Sequence, residues 1–353
     1  MNILSEWQPK IQAEIQTILA EAAEEFSEFS LDRIQIGYLQ QLATKGKQFR
    51  GCLLVGLYRS VLGGEIQDKR SLLRLAAAIE LYGTGILIHD DVIDRSDQRR
   101  GIPSVHQYME ERAKTDQLKE AAHFGISSAI CLADFLYFIA DNTVAELEFS
   151  PQLRLTLAAI NGSELARLGL AEIEDVRLSF CDQPISRTEI IDMYIGKTGR
   201  YTGRWPLLLA ATVAGLSTKS CQSLAKVGEK IGLLYQLKDD ELGIFGDPEK
   251  IGKSVTSDLV AGKKTLYYYY LKQDLSLKQQ LSVFKIIGNS EATLAQLDEV
   301  KSLITTTGIR QKVSTEMTAL KLELLIDISK LELPTQAMVF LDQIVDFAVS
   351  RSN

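Results

Sequence analysis

Over long stretches of this chain the apolar residues recur at intervals of three and four rather than two, which commits it to helices. Only 7 prolines interrupt its 353 residues. Short local signals, not linkers, separate the segments. Ser150-Pro151 reads as an N-cap with proline at the first helical position. Ser186-Arg187-Thr188-Glu189 fits a capping box. Gly63-Gly64 breaks the chain after the helix through Arg59, Asp247-Pro248-Glu249 opens a short helix, and Leu333-Pro334-Thr335 precedes the last one. The pattern predicts an all-α fold: one large helical bundle of roughly a dozen helices around a central cavity. The 46% hydrophobic content is enough for one large core or two ordinary domains, and with no linker visible residues 1–353 are read as a single domain. The tyrosines at 267–270 cover every face of a turn and are read as core packing plus a helix contact.

Composition excludes several classes of function. A net charge of −7 gives no electrostatic reason to bind nucleic acid, and basic clusters such as 45–50 are too small to reverse that. Cys52, Cys131, Cys181 and Cys221 form no CxxC pair, so they are expected to be reduced, mostly buried thiols in a cytoplasmic protein. The start, 1–10, lacks a basic flank followed by an apolar core, so no signal peptide is expected. No apolar run approaches membrane-spanning length without a charge, so no stable membrane insertion is expected either.

The chemistry lies in two aspartate clusters, each inside an apolar, helical run. The first is His89-Asp90-Asp91-Val92-Ile93-Asp94; the second is Gln236-Leu237-Lys238-Asp239-Asp240-Glu241-Leu242-Gly243. Spacing of i and i+4 puts Asp90 and Asp94 on one helix face, with Asp91 beside it. Like charges that close repel, so the helix needs a counter-ion. Hard divalent cations bind carboxylate oxygens, and Mg²⁺ commonly bridges them to phosphate. Two such clusters point to one cavity holding a diphosphate. Arg99-Arg100 follow the first cluster at a Gly101-Ile102-Pro103 turn, and guanidinium groups grip phosphate oxygens in a bidentate fork. An exposed helix end with ordinary ion pairs is the bland alternative; paired arginines at this spacing argue against it.

The stretch 89–106 resembles the first aspartate-rich motif of the trans-isoprenyl diphosphate synthases, most of all the geranylgeranyl diphosphate synthases. Gly46-Lys47-Gln48-Phe49-Arg50 resembles the family's N-terminal basic motif, and Ile195-Gly196-Lys197-Thr198 its mid-chain Lys-Thr pair. Tyr235-Gln236-Leu237-Lys238-Asp239-Asp240 resembles its second aspartate motif. Gly252-Lys253, Asp258-Leu259 and Gly262-Lys263-Lys264 resemble its downstream lysine region. The motifs occur in the family's order over roughly residues 40–270.

The resemblance implies the isoprenoid synthase fold and a prenyltransferase that joins isopentenyl diphosphate to allylic prenyl diphosphates. It also implies roles. Asp90 and Asp94 would bridge a pair of Mg²⁺ ions and Asp239 would hold one more, with Asp91 and Asp240 in support. Arg99, Lys197 with Thr198, and Lys253 would grip the allylic diphosphate, with Gln236 and Lys263 nearby. Lys47, Arg50 and Arg100 would bind the diphosphate of isopentenyl diphosphate. An allylic C–O bond must ionise, and fixed cations stabilise the departing charge. The cation then meets a double bond held nearby, and a proton leaves, with the released diphosphate as base. No nucleophilic His or Cys is required, and His89, His106 and His123 form no triad. A homodimer is implied, with no more than transient membrane contact through an amphiphilic product.

The chain departs from the family pattern at several positions. Gly243 stands where a third acid of the second motif is usual. Gln48 replaces Arg, Gly51 replaces Pro, and Gly83 replaces a His or Gln. Glu172 replaces a Gln, and either adds negative charge to the cavity or bonds a neighbouring helix. In the family the helix of the first motif lines the tunnel for the growing chain. Stepping back from Asp90 along its face gives Ile86, Gly85 and Tyr82. Glycine at 85 is expected to leave its level open, with Tyr82 as the floor roughly 4.5 Å deeper. That is close to one isoprene unit, so a C20 product is expected; Tyr82 swinging aside would allow C25 or longer. Two alternatives stand beside this reading: a terpene cyclase on the same fold, and a non-catalytic subunit of a heteromeric synthase.

Overall fold

The computed structural model describes residues 5–29, 33–64, 68–181, 183–246 and 257–351. They fold as helices, with a single two-stranded hairpin as the only sheet among them. The all-α expectation holds. The described residues group into two compact units, 1–160 with 212–214, and 161–211 with 215–353.

The first unit contains α1 (Gln8–Glu25), α2 (Arg33–Thr44), α3 (Phe49–Val61), α4 (Lys69–Ile93), the hairpin β1 (Gln98–Arg99) and β2 (Ile102–Pro103), α5 (Val105–Thr115), α6 (Ala121–Ala145) and the start of α7 (Pro151–Ser179). Its centre is α4, which packs against α1, α3 and α6. Asp68 caps it by accepting from Ser71 N at 2.9 Å. Ala76, Ala77 and Ala78 are wholly buried, and these small side chains let neighbouring helices approach closely. Helix α5 packs on α6 at Gly125, where a Cβ would meet the His106 carbonyl at 2.4 Å.

By length and composition α4 and α6 could each cross a membrane. The apolar window of α4 is 78% buried, as befits a core helix, whereas that of α6 is 33% buried. Phe124, Cys131 and Phe138 of α6 are exposed at seven-residue spacing, with exposed Ile130 beside them. The expectation of mostly buried thiols therefore holds for Cys52 alone: Cys131 is exposed, and Cys181 and Cys221 are half-buried.

The second unit contains the rest of α7, α8 (Arg187–Tyr194), a π-helical segment (Ile195–Arg204), all but the last two residues of α9 (Trp205–Val213), α10 (Thr218–Phe245), α11 (Ser257–Val260), α12 (Leu266–Asp274), α13 (Leu277–Val283), α14 (Leu294–Thr306), α15 (Ile309–Ser329) and α16 (Thr335–Ser350). The capping box at Ser186 forms as read, with Glu189 bonding back to Ser186 N. The π-helical segment lies against α10 across four glycines. A Cβ on Gly203 would sit 2.0 Å from Gly228 O, and one on Gly232 would sit 2.5 Å from Gly199 O. Only glycine permits backbone-to-backbone packing this close. In the tyrosine run Tyr267 is buried, and the Tyr270 hydroxyl donates to Glu316 on α15. The short helix expected at 247–249 lies outside the described residues.

Candidate active site

The first aspartate cluster closes the C-terminal end of α4. Asp90 is in its last turn and Asp94 is its C-cap, donating its backbone N–H to Asp90 O at 2.8 Å. A helix C-terminus carries partial negative charge, so carboxylates there need cations. Arg99 supplies one. Its Nε donates to Asp91 Oδ1 at 2.7 Å and its Nη2 to Asp90 Oδ2 at 3.0 Å. Burial disfavours the Arg99 cation, yet the hydrogen bond and charge of Asp91, with Asp90 and Asp94, hold its pKa above the ordinary value. Within the cluster Asp91 is buried, Asp90 is half-buried and Asp94 is exposed.

The hairpin delivers both arginines. Its two-residue turn places Arg100 at φ 54° and Gly101 at φ 71°, both left-handed, as a tight hairpin turn requires. The Arg100 guanidinium donates to Leu42 O at 2.7 Å, at the C-terminal end of α2, and packs on Gly46, where a Cβ would meet it at 2.6 Å. The structure thus brings Arg100 to the Gly46-Lys47 segment, with Lys47 and Arg50 half-buried beside it.

Two of the departures in this unit, Gln48 and Gly51, have physical accounts. Gln48 is buried, with a left-handed backbone at φ 48°. Its amide donates to Ala43 O at 2.7 Å and accepts from Gln12 at 3.1 Å, so it joins helices instead of facing a ligand. Gly51 N donates to the buried Glu80 carboxylate at 2.8 Å, a bond that proline could not make. Gly83 is buried in α4.

The level beside Gly85 is not open. A Cβ on Gly85 would meet Tyr137 Cε1 of α6 at 2.7 Å and Ala133 O at 3.0 Å, because the tyrosine ring already lies in the hollow. Tyr82 is 0% exposed, and its hydroxyl donates to Asp141. Ile86 is half-buried.

In the second unit, a chain of hydrogen bonds ties the Lys-Thr pair to the second aspartate cluster. Thr198 Oγ1 donates to Gln236 Oε1 at 2.6 Å, and Gln236 Nε2 donates to Asp240 Oδ1 at 2.7 Å. The Tyr194 hydroxyl donates to the other Asp240 oxygen and accepts from Leu266 N at 3.2 Å. Asp240 is buried and Asp239 half-buried. Arg351 reaches Asp239 Oδ1 at 2.7 Å, its guanidinium 3.5 Å over the Tyr235 ring. Lys197 is held by Glu172 at 3.0 Å and Asp175 at 2.7 Å, so Glu172 does bond a neighbouring segment. Beyond it, Arg200 and Arg204 share buried Glu164 and half-buried Glu229. Lys263 lines a small recess with Asp240, Thr265 and Tyr268. Lys253 lies outside the described residues.

Sequence reasoning missed Tyr194, Arg351, Glu80 and Tyr137. Tyr194 stands one helical turn before Thr198, a spacing that could have signalled it. The others meet their partners across 29 residues or more and leave no local signal.

Among the described residues no three of His, Cys, Asp and Glu converge on a metal by themselves. The donor set still fits Mg²⁺. Asp90 and Asp94 offer hard oxygens on one turn, and Mg²⁺ binds through one or two carboxylates, completing its shell with water and substrate phosphate.

Comparison with known proteins gives a consistent result. Residues 35–304 match the family model described as polyprenyl synthetase. The chain is 27% identical over 259 residues to the short chain isoprenyl diphosphate synthase of Methanocaldococcus jannaschii, covering 73% of this chain and 72% of that one. It is 26% identical over 268 residues to the geranylgeranyl diphosphate synthase of Saccharolobus solfataricus, covering 73% and 72%. Its fold matches that of geranylgeranyl pyrophosphate synthase from Corynebacterium glutamicum, solved with isoprenyl diphosphate and magnesium, at a TM-score of 0.91, 24% identity and 99% coverage of both chains. With carboxylates, arginine hairpin and Lys-Thr turn in that order, the chain belongs to the polyprenyl synthetase family.

Proposed function

We propose that the chain, acting over 1–353 as one catalytic domain, condenses isopentenyl diphosphate with allylic prenyl diphosphates and ends at geranylgeranyl diphosphate. The observation that carries this reading is the first cluster: two carboxylates on one helical turn, with a hairpin that brings one arginine onto them and the next onto the N-terminal basic segment. The names of the relatives support the C20 product.

Asp90, Asp94 and Asp239 would hold Mg²⁺, whose charge would stabilise the departing diphosphate. Asp91 fixes Arg99 in place, and Asp240 is fixed by Tyr194 and Gln236. Arg99, Lys197 and Lys253 bind the allylic diphosphate. Lys47, Arg50 and Arg100 bind the isopentenyl diphosphate. When the allylic C–O bond breaks, the isopentenyl double bond attacks the carbocation and a proton passes to the released diphosphate. Thr198 and Gln236 keep the turn bearing Lys197 in register with Asp240. The protein works as a homodimer joined through the exposed apolar face of α6.

Incubation of the purified protein with Mg²⁺, isopentenyl diphosphate and C5, C10 or C15 allylic primers tests this. Chromatography is expected to show an all-trans C20 diphosphate. No elongation with any primer would point to a non-catalytic subunit, and a cyclic hydrocarbon to a cyclase.

A further inference from the structure

We infer that Tyr137 of α6, not Tyr82 of α4, is the wall that sets the length of the prenyl chain. This rests on the proposed prenyl transfer, with the diphosphate head held at Asp90 and Asp94. A hydrocarbon tail leaving that site must run over apolar surface. The adjoining apolar surface in the same unit is the α4 face preceding the cluster and the stretch of α6 packed on it.

A residue that the tail touches must have surface to offer. Tyr82 is 0% exposed and Gly85 is buried, whereas Tyr137 and Ile86 are half-buried. The Tyr137 ring lies directly on Gly85, with Cε1 and Cδ1 at 2.7 and 3.0 Å from where a Cβ would be. The glycine is therefore a seat for an aromatic ring from the neighbouring helix. The ring is held at both ends. Its hydroxyl is 3.3 Å from His89 Nδ1, and the two rings meet edge-on with centroids 5.5 Å apart. At the other end the Tyr82 ring lies 6.5 Å away. His89 is itself held near Asp134, at 3.6 Å. From Tyr82 to His89 is about 10.5 Å of helix, so Tyr137 covers this length of α4 and Tyr82 backs it. Removing the ring opens the level over Gly85; removing Tyr82 from behind leaves the wall standing.

Product chromatography of the wild type, Tyr137→Ala, Tyr137→Phe and Tyr82→Ala, with one primer, tests this. Tyr137→Ala is expected to lengthen the main product by at least one C5 unit. Tyr137→Phe, which keeps the ring, and Tyr82→Ala are expected to match the wild type. If Tyr137→Ala does not fold, Tyr137→Leu, which keeps an apolar side chain on Gly85 without the ring, is expected to lengthen the product in its place. An active Tyr137→Ala or Tyr137→Leu with wild-type product length overturns the assignment, as does lengthening by Tyr82→Ala alone. A wild type that elongates no primer instead sinks the proposed reaction, so the two failures are distinct.

Discussion

Asp91 and Asp94 stand three residues apart in one motif, yet the structure gives them opposite environments. Asp91 is 1% exposed and locked to Arg99, while Asp94 is exposed at the helix end. Replacing them should therefore fail in different ways. Asp91→Ala leaves the buried Arg99 guanidinium with Asp90 but removes its bonds to Asp91, and is expected to lower stability by about 1–3 kcal/mol, read from denaturant unfolding. Asp94→Ala is expected to leave the unfolding midpoint near that of the wild type while kcat falls on the order of 10²–10³-fold. A stable, fully active Asp94→Ala enzyme would remove Asp94 from the metal-binding set. Sequence spacing alone placed both aspartates in the motif. It could not sort the buried from the exposed one, because that depends on where the hairpin carries Arg99.

At the scale of elements, the seam between the π-helical segment and α10 holds Thr198 against Gln236. Its glycines are there for space, not for flexibility. Gly203→Ala would force a Cβ to 2.0 Å from Gly228 O and is expected to cost about 3 kcal/mol or more, or to prevent folding of this unit. Gly162→Ala on α7 is the contrast: nothing lies within 4 Å of its Cβ position, so better helix propensity should stabilise by about 0.5–1 kcal/mol. Thermal unfolding of the two variants is expected to shift in opposite directions; a Gly203→Ala protein as stable as the wild type would contradict the close seam. Helices and the capping box at Ser186 were legible in the sequence because they depend on neighbours three and four residues away. The π-helical turn was not, because the same local composition allows an ordinary helix, and contact with α10 selects the wider one.

At the scale of the whole molecule, α6 presents Phe124, Cys131 and Phe138 outward, a stripe too apolar to be typical of solvated surface. In the proposed homodimer a second copy covers it. Phe138→Glu is expected to give a monomer in sedimentation experiments, and to make Cys131 readily alkylated where the wild-type dimer protects it. Cys52 serves as an internal control: burial foremost, and then the nearby Glu80 charge, push its thiol pKa well up, so it should stay unlabelled until unfolding. A Phe138→Glu protein that remains dimeric would exclude this face.

The sequence by itself determined the all-α class, several helix ends, the carboxylates on one turn of α4 and the arginines that follow them. All of these follow from residue type and short spacing, which fix backbone period and local charge. Only the tertiary structure decided what those groups meet. Tyr137 reaches His89 from 48 residues away and fills the hollow at Gly85, and Arg351 crosses 116 residues to bond Tyr235 O while pairing with Asp239. Such contacts arise from packing many elements together, so no local pattern encodes them. They fill the level beside Gly85 that the sequence leaves open, and they bury Tyr82 completely.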